Sequence, residues 1–226
     1  MKSLAILLLS FVLVACGEPS QSTATRKSES IFVLIENGGT VAESDRDAAM
    51  NTVLHLFQQI STLERRKATR YAQVHVVLSA SPNRIAWSGT PSQLLAQAED
   101  VKNLVVFKPS FSDLVMAFEQ IETTINLTQP GAIRLYWIGP TVHVPFQSSG
   151  DKIEVSVPQE IPSNLALPRF ADRLSVLKII RVHPDQDQVL QAYLASLGIL
   201  KRARSGSLEF SLLGDAQTKS TLKALL

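Results

Sequence analysis

The strongest constraint on the fold is a set of short segments with almost no polar face. Ile31-Phe32-Val33-Leu34-Ile35 is apolar at every position, and Ile133 to Ile138 and Leu174 to Val182 are nearly so. A strand with one face in water alternates apolar and polar residues, whereas a strand without alternation must be covered on both faces. Between these runs lie segments of helical period. Ala49, Val53, Leu56, Phe57, Ile60 and Leu63 mark one stripe, and Leu114, Ala117, Phe118, Ile121 and Ile125 mark another. Gln186 to Leu197 forms a third helix, closed by Gly198, a residue suited to the C-terminal turn. Fully buried strands alternating with helices predict an α/β fold. It is an open, mostly parallel sheet with helices on both faces, a three-layer arrangement of Rossmann type.

The remaining segments fill in this plan. The first strand runs into the glycine-rich turn Glu36-Asn37-Gly38-Gly39-Thr40, and Ser44 stands three residues before Asp47, a capping-box spacing for the first helix. Val74 to Leu78 and Arg84 to Trp87 form a hairpin around Ser81-Pro82-Asn83. Pro91 to Glu99 predicts a short helix, Leu104 to Phe107 a short strand, Leu208 to Leu212 a last strand and Gln217 to Leu226 a last helix. Thr141 to Pro168 breaks the rhythm. His143 to Phe146 and Lys152 to Val157 flank Ser148-Ser149-Gly150-Asp151, which predicts an inserted β-hairpin followed by a proline-rich crossing loop. Trp87, Tyr136 and Trp137 fall in strands and are expected as core or near-core anchors. Asp185 is expected to cap the helix after His183-Pro184.

The N-terminus carries an address. Met1-Lys2-Ser3 precedes an apolar run ending at Ala15, the pattern of a secretory signal peptide over residues 1–15. Leu4 to Ala15 is too short to cross a bilayer, which takes about 20 apolar residues. Leu13-Val14-Ala15-Cys16 resembles the lipobox of bacterial lipoproteins. That resemblance implies cleavage before Cys16, lipidation of Cys16 and attachment to a membrane. Gly17 in place of aspartate implies the outer membrane, facing the periplasm. Residues 16–30 contain no large apolar residue and six Ser or Thr between Gly17 and Ser30, so they form a linker. Residues 31–226 form one domain. Cys16 is the only cysteine, so the core must carry stability without an intramolecular disulfide. The net charge of +2 is no polyelectrolyte. The basic runs Arg65-Arg66-Lys67 and Lys201-Arg202-Ala203-Arg204 are expected as solvated helix ends or loops; the alternative is contact with anionic lipid or lipopolysaccharide, which needs several clustered charges. No aromatic residues interleave with them, which, together with export, excludes nucleic acid as a partner.

The order of elements resembles a von Willebrand factor A domain. The pieces that carry the resemblance are the first apolar strand entering Glu36 to Thr40 and the hairpin around Pro82. Ser112-Asp113-Leu114, with Ala117 and Phe118, is similar to a stretch that opens a later helix in that family. Ile133 to Gly139 is similar to its strand ending in Thr-Asp-Gly, and Val176 to Pro184 to its penultimate strand. The family holds a divalent cation at the carboxyl ends of the strands. Here the first motif falls on Ile35, Asn37 and Gly39. A one-residue slip places Glu36, Gly38 and Thr40 there instead, and reverses the side-chain direction. The third loop, Ile138-Gly139-Pro140, has no carboxylate. A degenerate site with no metal and no cofactor is therefore expected. The candidate binding rim is Glu36, Asn37, Thr40, Ser110, Ser112 and Asp113. A remodelled cation site would draw on Glu36, Thr40, Ser112 and Asp113. Otherwise Glu36 is solvated and Ser112 caps its helix.

No G-x-S-x-G, H-E-x-x-H or phosphate-binding lysine motif is present, and His55, His75, His143 and His183 are scattered. No catalytic residue is assigned. The leading expectation is a non-enzymatic interaction or scaffold protein. It would be held to a membrane by lipid and would present its strand-end rim to an envelope protein, for example within a secretion or conjugation assembly. The alternatives are a metal-dependent adhesion or ligand-binding domain and a periplasmic hydrolase.

Overall fold

A computed structural model describes residues 28–107, 111–142, 147–149, 152–154 and 157–221. The leader, Cys16, Ser110, His143 to Phe146 and residues 222–226 lie outside the described residues.

In chain order the strands are β1 (Glu29–Ile35), β2 (Gln73–Leu78), β3 (Ile85–Gly89), β4 (Ala132–Ile138), β5 (Gln147–Ser149), β6 (Lys152–Glu154), β7 (Leu174–Val182) and β8 (Glu209–Gly214). The helices are α1 (Arg46–Ser61), α2 (Pro91–Ala96), α3 (Ala98–Leu104), α4 (Leu114–Thr128), α5 (Pro184–Ser196), α6 (Ile199–Arg204) and α7 (Asp215–Thr221). Six strands form one sheet in the order β3-β2-β1-β4-β7-β8, parallel except for β3, which returns antiparallel to β2. The protein is thus mixed α/β with a mostly parallel sheet.

The unbroken apolar character of β1 has the expected cause. Ile31, Val33 and Ile35 point into a core with Val53, Leu56 and Ile60 of α1. Phe32 and Leu34 point the other way, into a core with Phe118, Ile121 and Ile125 of α4. Every β1 residue from Ser30 to Ile35 is buried. Tyr136 and Trp137 split between the same two cores, and Phe118 meets Trp137 edge to face at 5.0 Å. Trp87 is only half-buried and donates its indole N–H to Gln97 Oε1 at 2.8 Å.

The chain leaves β1 to one side for β2 and to the other for β4. That reversal opens a crevice at the carboxyl ends of β1 and β4, the usual ligand position in such sheets.

The hairpin of β2 and β3 forms as expected. The inserted pair differs in its first strand: Ser148 and Ser149, expected in the turn, belong to β5 and pair with Ile153 and Lys152 of β6, while His143 to Phe146 lie outside the described residues. Gly198 ends α5 with φ +72°. Four further local expectations fail. Leu104 to Phe107 is not a strand, because β3 already fills the sheet edge. There α3 runs to Leu104 and Val105 plugs the α1-side core. Ser44 does not cap α1. Its hydroxyl turns to Asp45, within a 3-10 turn over Glu43–Asp45, and the capping box forms instead at Thr90 and Gln93 of α2. Pro184 takes the first position of α5, so the cap moves back to His183, whose Nδ1 accepts from the Asp185 N–H at 3.2 Å. The last described helix opens at Asp215 rather than Gln217.

Candidate functional site

The crevice holds a cavity of about 420 Å³. Its walls are mostly apolar, with Val41, Phe107, Ile138, Pro140 and Val182 among them. Glu36, Thr40, Asp45, Arg181, His183 and Asp215 add polar groups. Its size and mixed lining suit a small ligand or a few side chains of a partner.

Glu36 follows directly on β1, and its N–H continues the ladder to Ile138 O at 2.9 Å. Because side chains alternate along a strand, Glu36 turns away from the face that Ile35 occupies. It is 1% exposed. Its Oε1 accepts from Trp137 Nε1 at 2.7 Å and from the Thr141 N–H at 2.8 Å, while Oε2 is buried without a partner. Burial raises its pKa to about 8, against the opposing hydrogen bonds from Trp137 and the Thr141 amide. At neutral pH the group is mainly the uncharged acid. The expectation of a solvated Glu36 is therefore wrong. Gly139 makes this packing possible: its φ is +146°, and a Cβ there would collide with Cβ, Cγ and Cδ of Glu36.

On the far wall Arg181 adopts φ +66°, at a break in the β7–β8 register between Ile180 and Val182. Its amide donates to Thr218 Oγ1 at 3.1 Å. Its guanidinium, 8% exposed, lies 2.7 Å from Asp215 Oδ1, a charge contact rather than an aligned hydrogen bond. Thr141, beside Glu36, has φ +62°. Two non-glycine residues with positive φ at one crevice mark stored backbone strain, of the kind that gathers at binding sites. Thr40 Oγ1 is also buried without a partner.

The other predicted rim residues do not face this cavity. Asn37 is buried. Its Oδ1 accepts from the Ala80 N–H at 3.0 Å and its Nδ2 donates to Val106 O at 2.9 Å. Ser112 is fully buried and donates to Ser79 Oγ at 2.7 Å, so it is not the helix cap. Asp113 is the cap of α4, accepting from the Met116 N–H at 2.9 Å. Ser110 lies outside the described residues. The structure thus brings Glu36 and Thr40 to the cavity and assigns Asn37, Ser112 and Asp113 to the scaffold. Sequence reasoning missed Ser79, Thr141, Arg181 and Asp215. The first is an ordinary-looking turn residue, and positive φ at Thr141 and Arg181 leaves no sequence signature.

A divalent cation does not fit these residues. It needs charged carboxylate and hydroxyl oxygens converging in tight geometry. Glu36 Oε1 already holds two donors, and Ser112 and Asp113 are committed elsewhere and do not line the cavity. Among the described residues no group of three or more His, Cys, Asp or Glu is placed to hold a metal ion.

No protein-family model and no curated protein matches the chain. Among solved structures, the PilB minor pilin from Streptococcus sanguinis superimposes with a TM-score of 0.53 at 8% identity, covering 91% of this chain and 61% of the pilin. A D319A mutant of the same pilin gives 0.49 at 7% identity over the same shares. The likeness is one of fold, and the chain spans less than two thirds of the pilin's length. These findings correct the family assignment to a lipoprotein with a von Willebrand A domain, since no model of either family matches and the structural neighbours are minor pilins. The physical reason is that apolar strands entering glycine-rich turns recur in any parallel α/β sheet. The residues that would single out the family do not converge here.

Proposed function

We propose that this chain is a non-enzymatic interaction or assembly protein of a bacterial cell envelope, and that its strand-end cavity receives part of a partner protein. The observation that carries this reading is the cavity itself: mostly apolar, edged by few polar groups, and built around an uncharged Glu36 and a strained Arg181. Such a site favours an apolar side chain with a hydrogen-bonding end. PilB is described as a minor pilin, which favours assembly over catalysis for this chain too. The envelope address rests on sequence: export through residues 1–15, lipid on Cys16, and an outer-membrane position facing the periplasm. A role in an envelope-spanning secretion or conjugation assembly is the finer form of the same proposal.

Ala42 lines the cavity and is exposed, so Ala42→Trp fills it without disturbing the core. The test is affinity purification of the tagged chain from its host. A stoichiometric partner retained by the wild type and by Arg84→Ala, but lost with Ala42→Trp, supports the proposal. Retention of the same partner by Ala42→Trp sinks it.

A further inference from the structure

Both basic runs, distant in sequence, fall at one end of the sheet. Arg65, Arg66, Lys67 and Arg70 lie in the turn that leads into β2, and Lys201 and Arg204 lie in α6, which leads into β8. The five parallel strands all begin at this end, opposite the cavity. From β2 to β8 is four strand spacings, roughly 19 Å. All six side chains are exposed, and among the described residues none of them forms an ion pair. The acids nearby are largely spent: Glu29 on Arg134 at 2.5 Å and Glu209 on Lys178 at 2.6 Å. Glu122 is likewise held by Arg169 at 3.1 Å, and Glu64 and Asp172 lie in the turns that lead into β2 and β7, against six exposed cations.

Two further observations point to a membrane rather than to solvent alone. Tyr71, 74% exposed, stands on this end with the Arg70 guanidinium 5.9 Å over its ring, and Leu127, 79% exposed, is near the end of α4. An amphipathic aromatic beside cations is suited to a lipid headgroup region. The described chain also enters here, Ser28 O accepting from the Gly131 N–H at 2.9 Å. Ser28 is twelve chain steps from Cys16, a reach of at most about 43 Å.

We propose that this end of the domain lies on an anionic phospholipid surface, held by the two basic runs, so that the cavity faces away from the membrane. The charge pattern stands on geometry alone. The orientation rests on the envelope tether proposed above, and an unlipidated chain separates the two. Each Lys or Arg near an anionic surface raises partitioning roughly fivefold at low salt, so reversing three lowers it by at least about a hundredfold.

The experiment uses the chain from residue 16 onward with Cys16→Ser, co-sedimented with vesicles of pure phosphatidylcholine or of phosphatidylcholine with roughly 30% phosphatidylglycerol, an anionic fraction that raises such a surface potential. Circular dichroism of each variant confirms the fold. We expect binding to the anionic vesicles only and loss on raising the salt. Arg66→Glu/Lys67→Glu/Arg70→Glu should abolish binding, Lys201→Glu/Arg204→Glu should weaken it, and Arg84→Glu at the opposite end should leave it unchanged. The proposal is overturned if the anionic vesicles are not bound, if Arg84→Glu weakens binding as much as the triple variant, or if the triple variant binds normally. If vesicle binding succeeds while Ala42→Trp keeps every partner, the membrane face stands and the cavity reading falls.

Discussion

Replacing Glu36 by glutamine makes the cost of its buried carboxyl measurable. The unfolded chain releases the Glu36 proton near pH 4.5, whereas the folded chain keeps it to about pH 8. Between these values the folded state binds more protons, so its stability falls as pH rises, and it is flat with respect to this group above pH 8. At about 1.36 kcal/mol for each pKa unit, the handicap is roughly 3 kcal/mol at pH 7 and roughly 5 kcal/mol above pH 8. The substituted amide would present the same acceptor to Trp137 and the Thr141 N–H without a proton to lose. Urea unfolding of wild type and Glu36→Gln, followed by far-ultraviolet circular dichroism from about pH 4.5 to 9, isolates this group by difference. The stability advantage of the variant should grow across that range by several kcal/mol and level off near pH 8. A difference that stays constant through the neutral range would mean that Glu36 ionises as an exposed glutamate does, and the burial account of its pKa would be wrong.

His75 carries the opposite sign. Its buried ring stacks on Phe32 at 4.9 Å, its Nδ1 meets Ser88 Oγ at 2.8 Å, and burial lowers its pKa to about 4. The unfolded chain takes up the His75 proton first, so stability falls as pH drops from 6.5 to about 4. The loss is roughly 3 kcal/mol, and His75→Gln should remove it in acid unfolding curves. Gly139→Ala should cost roughly 3–5 kcal/mol in urea melts, because the backbone is positive in φ and the new methyl meets Glu36; a change under about 1 kcal/mol would deny that contact. Ser79→Ala should cost roughly 2 kcal/mol by stranding the Asn37 amide and the Ser112 hydroxyl, which urea melts would register. Millimolar Mg²⁺ or Mn²⁺ should leave Tm unchanged; a rise that Glu36→Ala abolishes would show a cation bound after all.

The strands were legible because burial on both faces leaves no choice of residue. Ile31 to Ile35 could be apolar throughout only if covered twice, and α1 and α4 cover it. The helices followed from their stripes. What failed was chemistry set by one or two bonds. Ser44 and Ser112 look like caps in sequence, yet Asp113 caps α4 and Ser112 serves Ser79. Glu36 sits in a glycine-rich turn, which suggests solvent, but one more ladder bond and the missing side chain at Gly139 hold it inside. The family resemblance failed for a related reason, since it rested on the order of elements that many parallel sheets share. The basic runs were read one at a time as solvated ends. Their placement together at one end of the sheet emerges only once β2 and β8 are located in it.

Whether the strand-end cavity receives a partner protein can be decided with a photo-crosslinking amino acid placed at Ala42 in the living host. One discrete crosslinked product is expected from Ala42 and none from Arg84 on the hairpin. No product from Ala42, or the same products from both positions, would contradict a partner seated in the cavity.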